Sequence, residues 1–247
     1  MPNTNIELRK LSLSADKLKG LTAQERYVFA LAGHVFNELM MLQKMVIIST
    51  PAPEAHAFTN DAAVGSALFV LRILIGKTEE AMRMLSKQSV AEVLRQQIFA
   101  RVAGLEEKWS AVLSKYQSMP WLGTIRNQRA FHYMNAAQWS PHLNDDICHE
   151  AYVIVGKTYG TTLFHWQEMS AGLPMMKLVD EEAPFHGLAL MIEELGKLLG
   201  ELGECIAVGL QTYMLEALTD EDALGPPEII SGPALNETHL QYFYAKD

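Results

Sequence analysis

Apolar residues recur every three or four positions along most of this chain, and the clearest case lies near its C-terminal end. Six of them alternate spacings of three and four: Leu188, Met191, Leu195, Leu198, Leu202 and Cys205. Five charged residues fall on the opposite side: Glu193, Glu194, Lys197, Glu201 and Glu204. This spacing is typical of an amphipathic helix packed in a bundle or coiled coil. No stretch shows convincing strand alternation. The sequence therefore predicts an all-α, multi-helix up-and-down bundle with an added long amphipathic C-terminal helix.

Other stretches of helical periodicity are separated by prolines. We predict helices over 22–49, 61–86, 90–117, from Pro120 to about 140, and over 145–170. Thr22 and Glu25 form a capping-box pattern at the start of the first one. Pro174 and Pro184 are expected to bound a short connection before the C-terminal helix.

The composition predicts one helical domain over 22–218, preceded by an extension at 1–21 and followed by an acidic tail containing Pro and Gly at 219–247. Two cysteines provide neither a disulfide framework nor a zinc site of the usual kind. The start of the chain has no apolar core of the signal-peptide type. The longest apolar run, Ala62–Ile75, contains Arg72 and is too short to span a bilayer. We therefore expect a cytoplasmic protein that makes no membrane contact.

Charge is distributed unevenly between the two halves of the chain. The formal net charge is −9, yet residues 1–133 hold 16 Lys and Arg against 11 Asp and Glu, and residues 134–247 hold 4 against 18. Such asymmetry can separate a region that faces a polyanion from a region that repels it. A solvated acidic helix and tail would produce the same asymmetry.

The segment from Ile125 to Tyr133, of sequence IRNQRAFHY, concentrates side chains suited to phosphate chemistry. Histidine transfers protons near neutral pH, and arginine binds phosphate through parallel hydrogen bonds. Aromatic residues such as Tyr133 or Phe131 can stack on a base. These residue types can position a phosphate, move a proton and stabilise negative charge without a metal or another cofactor. Surface arginines beside a histidine that caps or packs would give the same segment.

The same segment resembles the motif of the HEPN superfamily, in which an arginine and a polar residue precede a histidine by a few positions. Here the arginine is Arg126, the polar residue is Asn127 and the histidine is His132. The resemblance implies a HEPN-like helical core over about 22–170 and a metal-independent ribonuclease or RNA-binding activity with Arg126 and His132 as the catalytic pair. It also permits a homodimer, or a toxin held by an antitoxin or another protein partner. A homodimer is predicted on a second ground, because one face of the 188–205 helix is too apolar to leave in water.

Helical geometry adds candidate supporting residues. Arg126 and His132 are about 120° apart on an ideal helix, so they meet only if the helix begins, ends or bends there, or if a second subunit completes the site. Arg129 and His132 would share a face. Tyr133 follows the histidine directly, whereas several HEPN nucleases have a tyrosine two positions beyond it. Asn37 and Glu38, with His34, lie at one edge of the first helix's apolar stripe and are natural partners for Arg126 or His132.

Three other interpretations stay open. Gly76-Lys77-Thr78 and Gly156-Lys157-Thr158 imitate the end of a phosphate-binding loop but lack its earlier glycine. Metal ligands could come from pairs such as His34 with Glu38, or His165 with Glu168, or from the cluster Asp146, His149 and Glu150. Pairing on the helix surface explains these residues better, so we predict no metal site. A noncatalytic helical protein would use the C-terminal helix for protein interaction, and a further alternative is a bundle that binds a small molecule or nucleotide.

Overall fold

A computed structural model describes residues 4–50, 52, 55–143, 151–221, 223–233, 235, 238–240, 242 and 243. Most of these residues are helical, and the one sheet among them has two strands. The prediction of an all-α multi-helix bundle is confirmed.

The α-helices are α1 (Ala15–Gly20), α2 (Ala23–Ile48), α3 (Ala57–Leu85), α4 (Gln88–Val93), α5 (Leu105–Gln117), α6 (Trp121–Ile125), α7 (Ala136–Leu143), α8 (His165–Met176) and α9 (Pro184–Tyr213). Single π turns cover Leu94–Ile98, Arg126–Ala130 and Met214–Leu218, and 3₁₀ turns cover Phe99–Arg101 and Tyr159–Thr161. The strands are β1 (Thr4–Leu8) and β2 (Glu228–Gly232).

The chain forms two compact units. Unit 1 comprises Met1–Met40, Glu80–Met119 and Lys197–Ala234, and unit 2 comprises Met41–Glu79, Pro120–Gly196 and Leu235–Asp247. Three of the boundaries between the units fall inside helices, namely α2, α3 and α9. Each unit is therefore assembled from segments that are distant in sequence.

The core of unit 1 is built from the residues that the helical periodicity selects. Helix α2 buries Val28, Ala32, Val35 and Leu39, which repeat at spacings of three and four. Helix α5 buries Trp109, whose ring lies 5.5 Å from that of Phe99. Helix α9 buries its apolar stripe, including Leu198, Leu202 and Cys205. On the polar side, Glu201 and Glu204 form ion pairs with Lys115 and Lys108 of α5.

The capping box at the start of α2 is confirmed. The Thr22 backbone N–H donates to Glu25 Oε2 at 2.8 Å, and the Glu25 backbone N–H donates to Thr22 Oγ1 at 3.2 Å. The two bonds satisfy amide donors that the first helical turn leaves without intrahelical partners. The Thr22 hydroxyl also donates to Glu25 Oε2, at 2.7 Å. This bond and the one from the Thr22 amide lower the pKa of Glu25, since both favour the carboxylate.

The predicted helix over 90–117 is interrupted. A π turn and a 3₁₀ turn follow α4, and α5 begins only at Leu105. Between them Val102 is extended, and Gly104 has a φ of 78°. A left-handed backbone suits glycine because it has no Cβ, so Gly104 lets the chain turn between two helical segments.

The predicted helix over 145–170 is wrong over 151–164 and confirmed over 165–170. Residues 145–150 lie outside the described residues. Residues 151–164 contain an isolated bridge between Ile154 and Leu163 instead of an α-helix. The β-branched run Val153–Val155 and the nearby glycines favour extended or turning backbone over helix. Helix α8 begins at His165 and contains Pro174, which the sequence had placed in a connection. Pro184 begins α9, where a first-turn proline loses no hydrogen bond.

Strands occur where the sequence predicted only an extension and a tail. Strands β1 and β2 pair antiparallel, with Ile6 opposite Ile230 and Leu8 opposite Glu228. The side chains of residues 5–8 and 228–231 are all exposed to solvent. Neither face is buried, so nothing imposes the alternation of apolar and polar residues by which strands are recognised.

Helix α3 is long and apolar enough to cross a membrane by length and composition. The helix extends beyond the apolar run Ala62–Ile75 at both of its ends. Within its most apolar 18-residue window, 44% of the residues are buried inside the chain. Core helices of soluble proteins meet the same criteria.

We predict that Thr22→Ala lowers the free energy of unfolding by about 1 kcal/mol at neutral pH, because it removes a side-chain cap. Glu25 has a lowered pKa, so its stabilisation is present above its unfolded-state pKa and is lost as pH falls through its folded-state pKa. Urea unfolding at about pH 7 and about pH 3 should show a smaller difference between wild type and variant at the lower pH. An equal difference at both pH values would contradict the role of the Glu25 carboxylate.

Candidate functional site

The Arg–His segment of unit 2 begins as helix α6 and then leaves helical geometry. Trp121, Leu122 and Ile125 are buried and hold α6 in the core. Arg126–Ala130 follow as one π turn, and the helix ends at Phe131, whose φ is −124° and ψ is 3°. A π turn accommodates one more residue than an α turn and is frequent at functional sites. His132 therefore lies beyond the helix end, and the 120° separation of the ideal helix does not apply to it.

A pocket of about 230 Å³ opens beside this segment. It is lined by Phe69, Arg72, Ile73, Arg129, Ala130, Phe131, His132, Tyr133, Met134, Trp139 and Ala171. These residues come from α3, from the π turn and the chain after it, from α7 and from α8. Arginine, histidine and aromatic side chains predicted from the motif thus share one pocket with residues from distant parts of the sequence.

Arg129 contributes a half-buried guanidinium to the pocket. One of its terminal nitrogens donates to the Met134 sulfur. Its Nε is buried and has no hydrogen-bond partner among the described residues. Burial lowers the pKa of Arg129 because it disfavours the charged form. An anionic ligand in the pocket would reduce this desolvation cost.

Arg72 brings a second guanidinium from α3. Its Nη2 lies 2.6 Å from Glu168 Oε1 of α8, and the side chain of Arg72 is only 15% exposed. Its guanidinium carbon also lies 6.0 Å from the centre of the Phe69 ring. The carboxylate fixes one side of the guanidinium, so Arg72 is held in place while it lines the pocket.

Aromatic side chains form much of the remaining wall. Phe69 and Phe131 are about half exposed, and Tyr133 is fully exposed. Trp139 is half-buried, and its Nε1 is buried without a hydrogen-bond partner in the part of the chain that the structure describes. Exposed aromatic faces beside guanidinium groups are the features on which bases of single-stranded RNA stack.

Gly76 determines how closely the π turn approaches α3. A Cβ at this position would lie 2.7 Å from Ala130 Cβ and 2.9 Å from Phe131 Cε2. Both distances are shorter than van der Waals contact allows. The absence of a side chain at Gly76 is therefore what lets the Arg–His segment pack against the helix that carries Arg72.

Two residues of the predicted motif lie outside the pocket lining. The Arg126 Nη1 donates to Asn127 Oδ1 at 3.0 Å, and neither residue is among those that line the pocket. Asn127 and His132 are exposed. The structure thus groups His132 with Arg129 and Tyr133 in one pocket, and it does not bring Arg126 into that group.

The predicted partners on α2 belong to unit 1. Asn37 and His34 line a separate pocket of about 470 Å³ with residues of α9 and the π turn after it, among them Leu210, Gln211 and Met214. Glu38 is not among the residues that line this pocket. The pairing of Asn37 or Glu38 with the Arg–His segment of unit 2 stays a prediction.

The Gly-Lys-Thr triplets do not form phosphate-binding loops. Gly76–Thr78 lie inside α3, where the buried Thr78 hydroxyl donates to the Leu74 carbonyl at 2.8 Å. Gly156 lies in an irregular segment where a Cβ would meet Thr161 Oγ1 at 2.1 Å. Both glycines therefore serve close packing.

No group of three or more His, Cys, Asp or Glu side chains that could hold a metal ion occurs among the described residues. Asp146, His149 and Glu150 lie outside that part of the chain. Glu168 ion-pairs with Arg72, and His165 stacks on Tyr152 with ring centres 4.8 Å apart.

Comparisons of the chain with protein-family models, with curated proteins and with solved structures each found no match.

Sequence reasoning missed Arg72, Phe69 and Trp139 as pocket residues. Arg72 had a visible signal, because it is the single charged residue in the apolar run Ala62–Ile75. A charge in an otherwise apolar helical stretch must be paired, which Glu168 accomplishes. Nothing in the local sequence of Trp139 signals its location, since that depends on how α7 packs.

We predict that Gly76→Ala lowers the free energy of unfolding by about 1–3 kcal/mol, because the new methyl group overlaps Ala130 and Phe131. Gly196→Ala is the matched control, since no atom lies within 4 Å of a Cβ at Gly196 in the interior of α9. That change should raise stability by up to about 1 kcal/mol through helix propensity. Chemical denaturation of both variants provides the measurement, and a stabilised Gly76→Ala protein would contradict the close contact.

Proposed function

We propose that the chain is a HEPN-type RNA-binding protein and metal-independent endoribonuclease that binds a phosphodiester in the pocket of unit 2. The observation that supports this most directly is the shared pocket of an exposed histidine, two arginines and exposed aromatic rings. The Arg126-Asn127…His132 resemblance supports the same function independently.

The chemistry requires one proton to be removed from a ribose 2′-hydroxyl and one to be supplied to the leaving 5′-oxygen. We assign both transfers to His132: its neutral ring accepts the 2′-hydroxyl proton while the 2′-oxygen attacks phosphorus. The resulting imidazolium returns the proton to the 5′-oxygen as the phosphorus–oxygen bond breaks. The products are a 2′,3′-cyclic phosphate and a 5′-hydroxyl, so atoms and charge balance without a further reactant.

Charge stabilisation in this proposal comes from Arg129, with Arg72 as a second guanidinium. The transition state carries extra negative charge on the phosphorane oxygens, and fixed donors aimed at that charge lower the barrier. No Asp or Glu is among the residues that line the pocket. The lining therefore suits an anionic substrate and lacks the carboxylate oxygens that Mg²⁺ prefers.

The role of Arg126 differs between the two lines of support. The HEPN resemblance assigns Arg126 to the catalytic pair, whereas the pocket geometry favours Arg129. Arg126 binds Asn127, which is consistent with contact to the RNA backbone beside the pocket. We therefore propose Arg129 as the phosphate-binding residue in the pocket and Arg126 as a flanking contact.

The oligomeric state and a possible protein partner also belong to the proposal. The resemblance permits a homodimer or a complex with an antitoxin. The apolar stripe of α9 does not support the homodimer, because five of its six residues are buried within the chain: Met191, Leu195, Leu198, Leu202 and Cys205. The alternative of a noncatalytic interaction protein loses the same support, since it relied on this stripe. Light scattering at micromolar concentration tests the homodimer directly.

We predict that His132→Ala lowers RNA cleavage by about 10²–10⁴-fold, because it removes the proton-transfer group. Arg129→Ala should lower cleavage by about 10²–10³-fold through the loss of charge stabilisation. The assay is cleavage of mixed RNA by the full chain in the presence of a chelator, with circular dichroism to show that each variant is folded. Wild type that cleaves no RNA under these conditions would contradict the nuclease proposal.

Arg95→Ala provides the matched control, since Arg95 is also an arginine on a π turn, but it is exposed and lies in unit 1. It should leave cleavage unchanged. Arg126→Ala should reduce cleavage less than Arg129→Ala does. The reverse order would return the principal role to Arg126 and contradict the assignment from the pocket.

A further inference from the structure

The sheet of unit 1 has two strands, and its apolar side chains face solvent. Among the described residues, neither β1 nor β2 pairs with a third strand. Its large apolar side chains are between 41% and 70% exposed, namely those of Ile6, Leu8, Ile229 and Ile230. A two-stranded sheet is marginally stable in water, and further strands or a covering element that buries one face stabilise it. A neighbouring strand would therefore stabilise this sheet.

The outer edge of β1 carries backbone groups that can pair with such a strand. The Lys10 carbonyl accepts a hydrogen bond from the segment before β2, and the Ser12 amide donates one to that segment. Neighbouring residues of an extended strand direct their backbone groups to opposite edges. Glu7 and Arg9 form an ion pair at 3.1 Å on one face, as residues two apart do in a strand. Residues 5, 7, 9 and 11 therefore direct their amides and carbonyls to the outer edge.

The edge of β1 differs from that of β2 in its charges and in its ability to extend pairing. Pro226 and Pro227 directly precede β2, and proline has no amide to donate to a neighbouring strand. Glu228 is the single charged residue of β2. The edge of β1 supplies both signs, with Glu7 in the strand and Arg9 directly after it. An edge with both signs can complement a second copy of itself.

We infer that β1 pairs antiparallel with β1 of a second copy of this chain, with the two-fold axis at Leu8. In this register, Glu7 lies opposite Arg9 of the partner subunit, and the same pair recurs across the axis. Registers centred on Glu7 or on Arg9 would oppose two carboxylates or two guanidinium groups, which is destabilising. A register centred on Ile6 places no opposite charges across the axis. Charge complementarity therefore selects the register centred on Leu8.

This pairing extends both the charge network and the apolar face of the sheet. Arg9 already donates two hydrogen bonds to Glu7 Oε1 within each strand. The four charges around the axis then alternate in sign, both along each strand and across the pair. On the other face, Leu8 lies beside Leu8 of the partner subunit, and Ile6 and Ile230 continue the apolar surface across four strands. Backbone hydrogen bonds supply affinity, and the side chains determine the register.

The inference gives an interface to the homodimer named in the proposed function, and it does not depend on RNA cleavage. Sedimentation velocity of the full chain over a series of micromolar concentrations should show a monomer–dimer equilibrium. Glu7→Arg and Arg9→Glu should each raise the dimer Kd by about tenfold or more, because each change turns both cross-strand pairs into like charges. Both side chains are exposed, so each variant should keep the circular dichroism spectrum of wild type.

Glu107→Arg is the matched control, since it makes the same change of charge at an exposed residue of α5 in unit 1. It should leave the dimer Kd unchanged. Monomeric wild type would overturn the inference and leave the edge of β1 to a different partner. A dimer that Glu7→Arg leaves as tight as wild type would place the interface elsewhere and overturn the inference as well.

An equimolar mixture of the Glu7→Arg chain and the Arg9→Glu chain tests the register itself. One strand then carries two positive charges and the other two negative charges, so only the mixed pair sets opposite charges across the axis. The mixture should form dimers at concentrations where each variant alone is monomeric. Loss of dimers in both variants without recovery in the mixture would overturn the register, because an effect within one chain is not restored by another chain.

These outcomes are separate from those of the nuclease assay. RNA cleavage by a monomeric wild type would overturn the interface and leave the nuclease proposal standing. A dimer that follows the charge changes as expected but cleaves no RNA would support the interface and contradict the nuclease proposal.

Discussion

The close contact of Gly76 with Ala130 and Phe131 is the constraint on which the pocket depends. Because Gly76 has no side chain, the π turn can lie against α3 at a distance that any Cβ would prevent. This contact brings Arg129 and His132 beside Phe69 and Arg72, which are separated from them by more than fifty residues of chain. The Arg72–Glu168 pair then ties α3 to α8. Removing one partner of such a partly buried pair would leave a charge without compensation in the pocket wall.

The pocket is a basic site on an acidic chain. The formal net charge is −9, yet the described side chains that line the pocket supply two guanidinium groups and no carboxylate. One of these guanidinium groups, that of Arg72, is paired with Glu168 beside the pocket. Local field at a binding site depends on nearby charges, because salt screens exposed charges beyond about 10 Å at ordinary ionic strength. The overall acidity would instead weaken nonspecific attraction to nucleic acid. Affinity for RNA would then be confined to segments that enter the pocket.

The sequence predicted the long helices well, because α2, α3 and α9 each bury one face and so repeat at helical spacing. The capping box of Thr22 and Glu25 was also readable, since it depends on residues three apart. The interruption at Gly104, the π turn at Arg126–Ala130 and the exposed pair of β1 and β2 were missed, because no local periodicity marks them. His132 was identified from the motif, Arg129 from helical geometry, and Tyr133 as an aromatic residue next to the histidine. Arg72 and Trp139 were not, since their places in the pocket arise from contacts distant in sequence.

The π turn at Arg126–Ala130 is equivalent to a helix with one inserted residue. An α-helix advances about 100° for each residue, so one extra residue changes which side chains leave the helix in a given direction. Counting helical faces across this segment therefore assigns the wrong neighbours to every residue after it. Related chains that lack the insertion would have an unbroken helix here, and their best alignment with this chain would require a one-residue gap next to the arginines. The number of residues between arginine and histidine then depends on the backbone geometry as well as on the chemistry of the site.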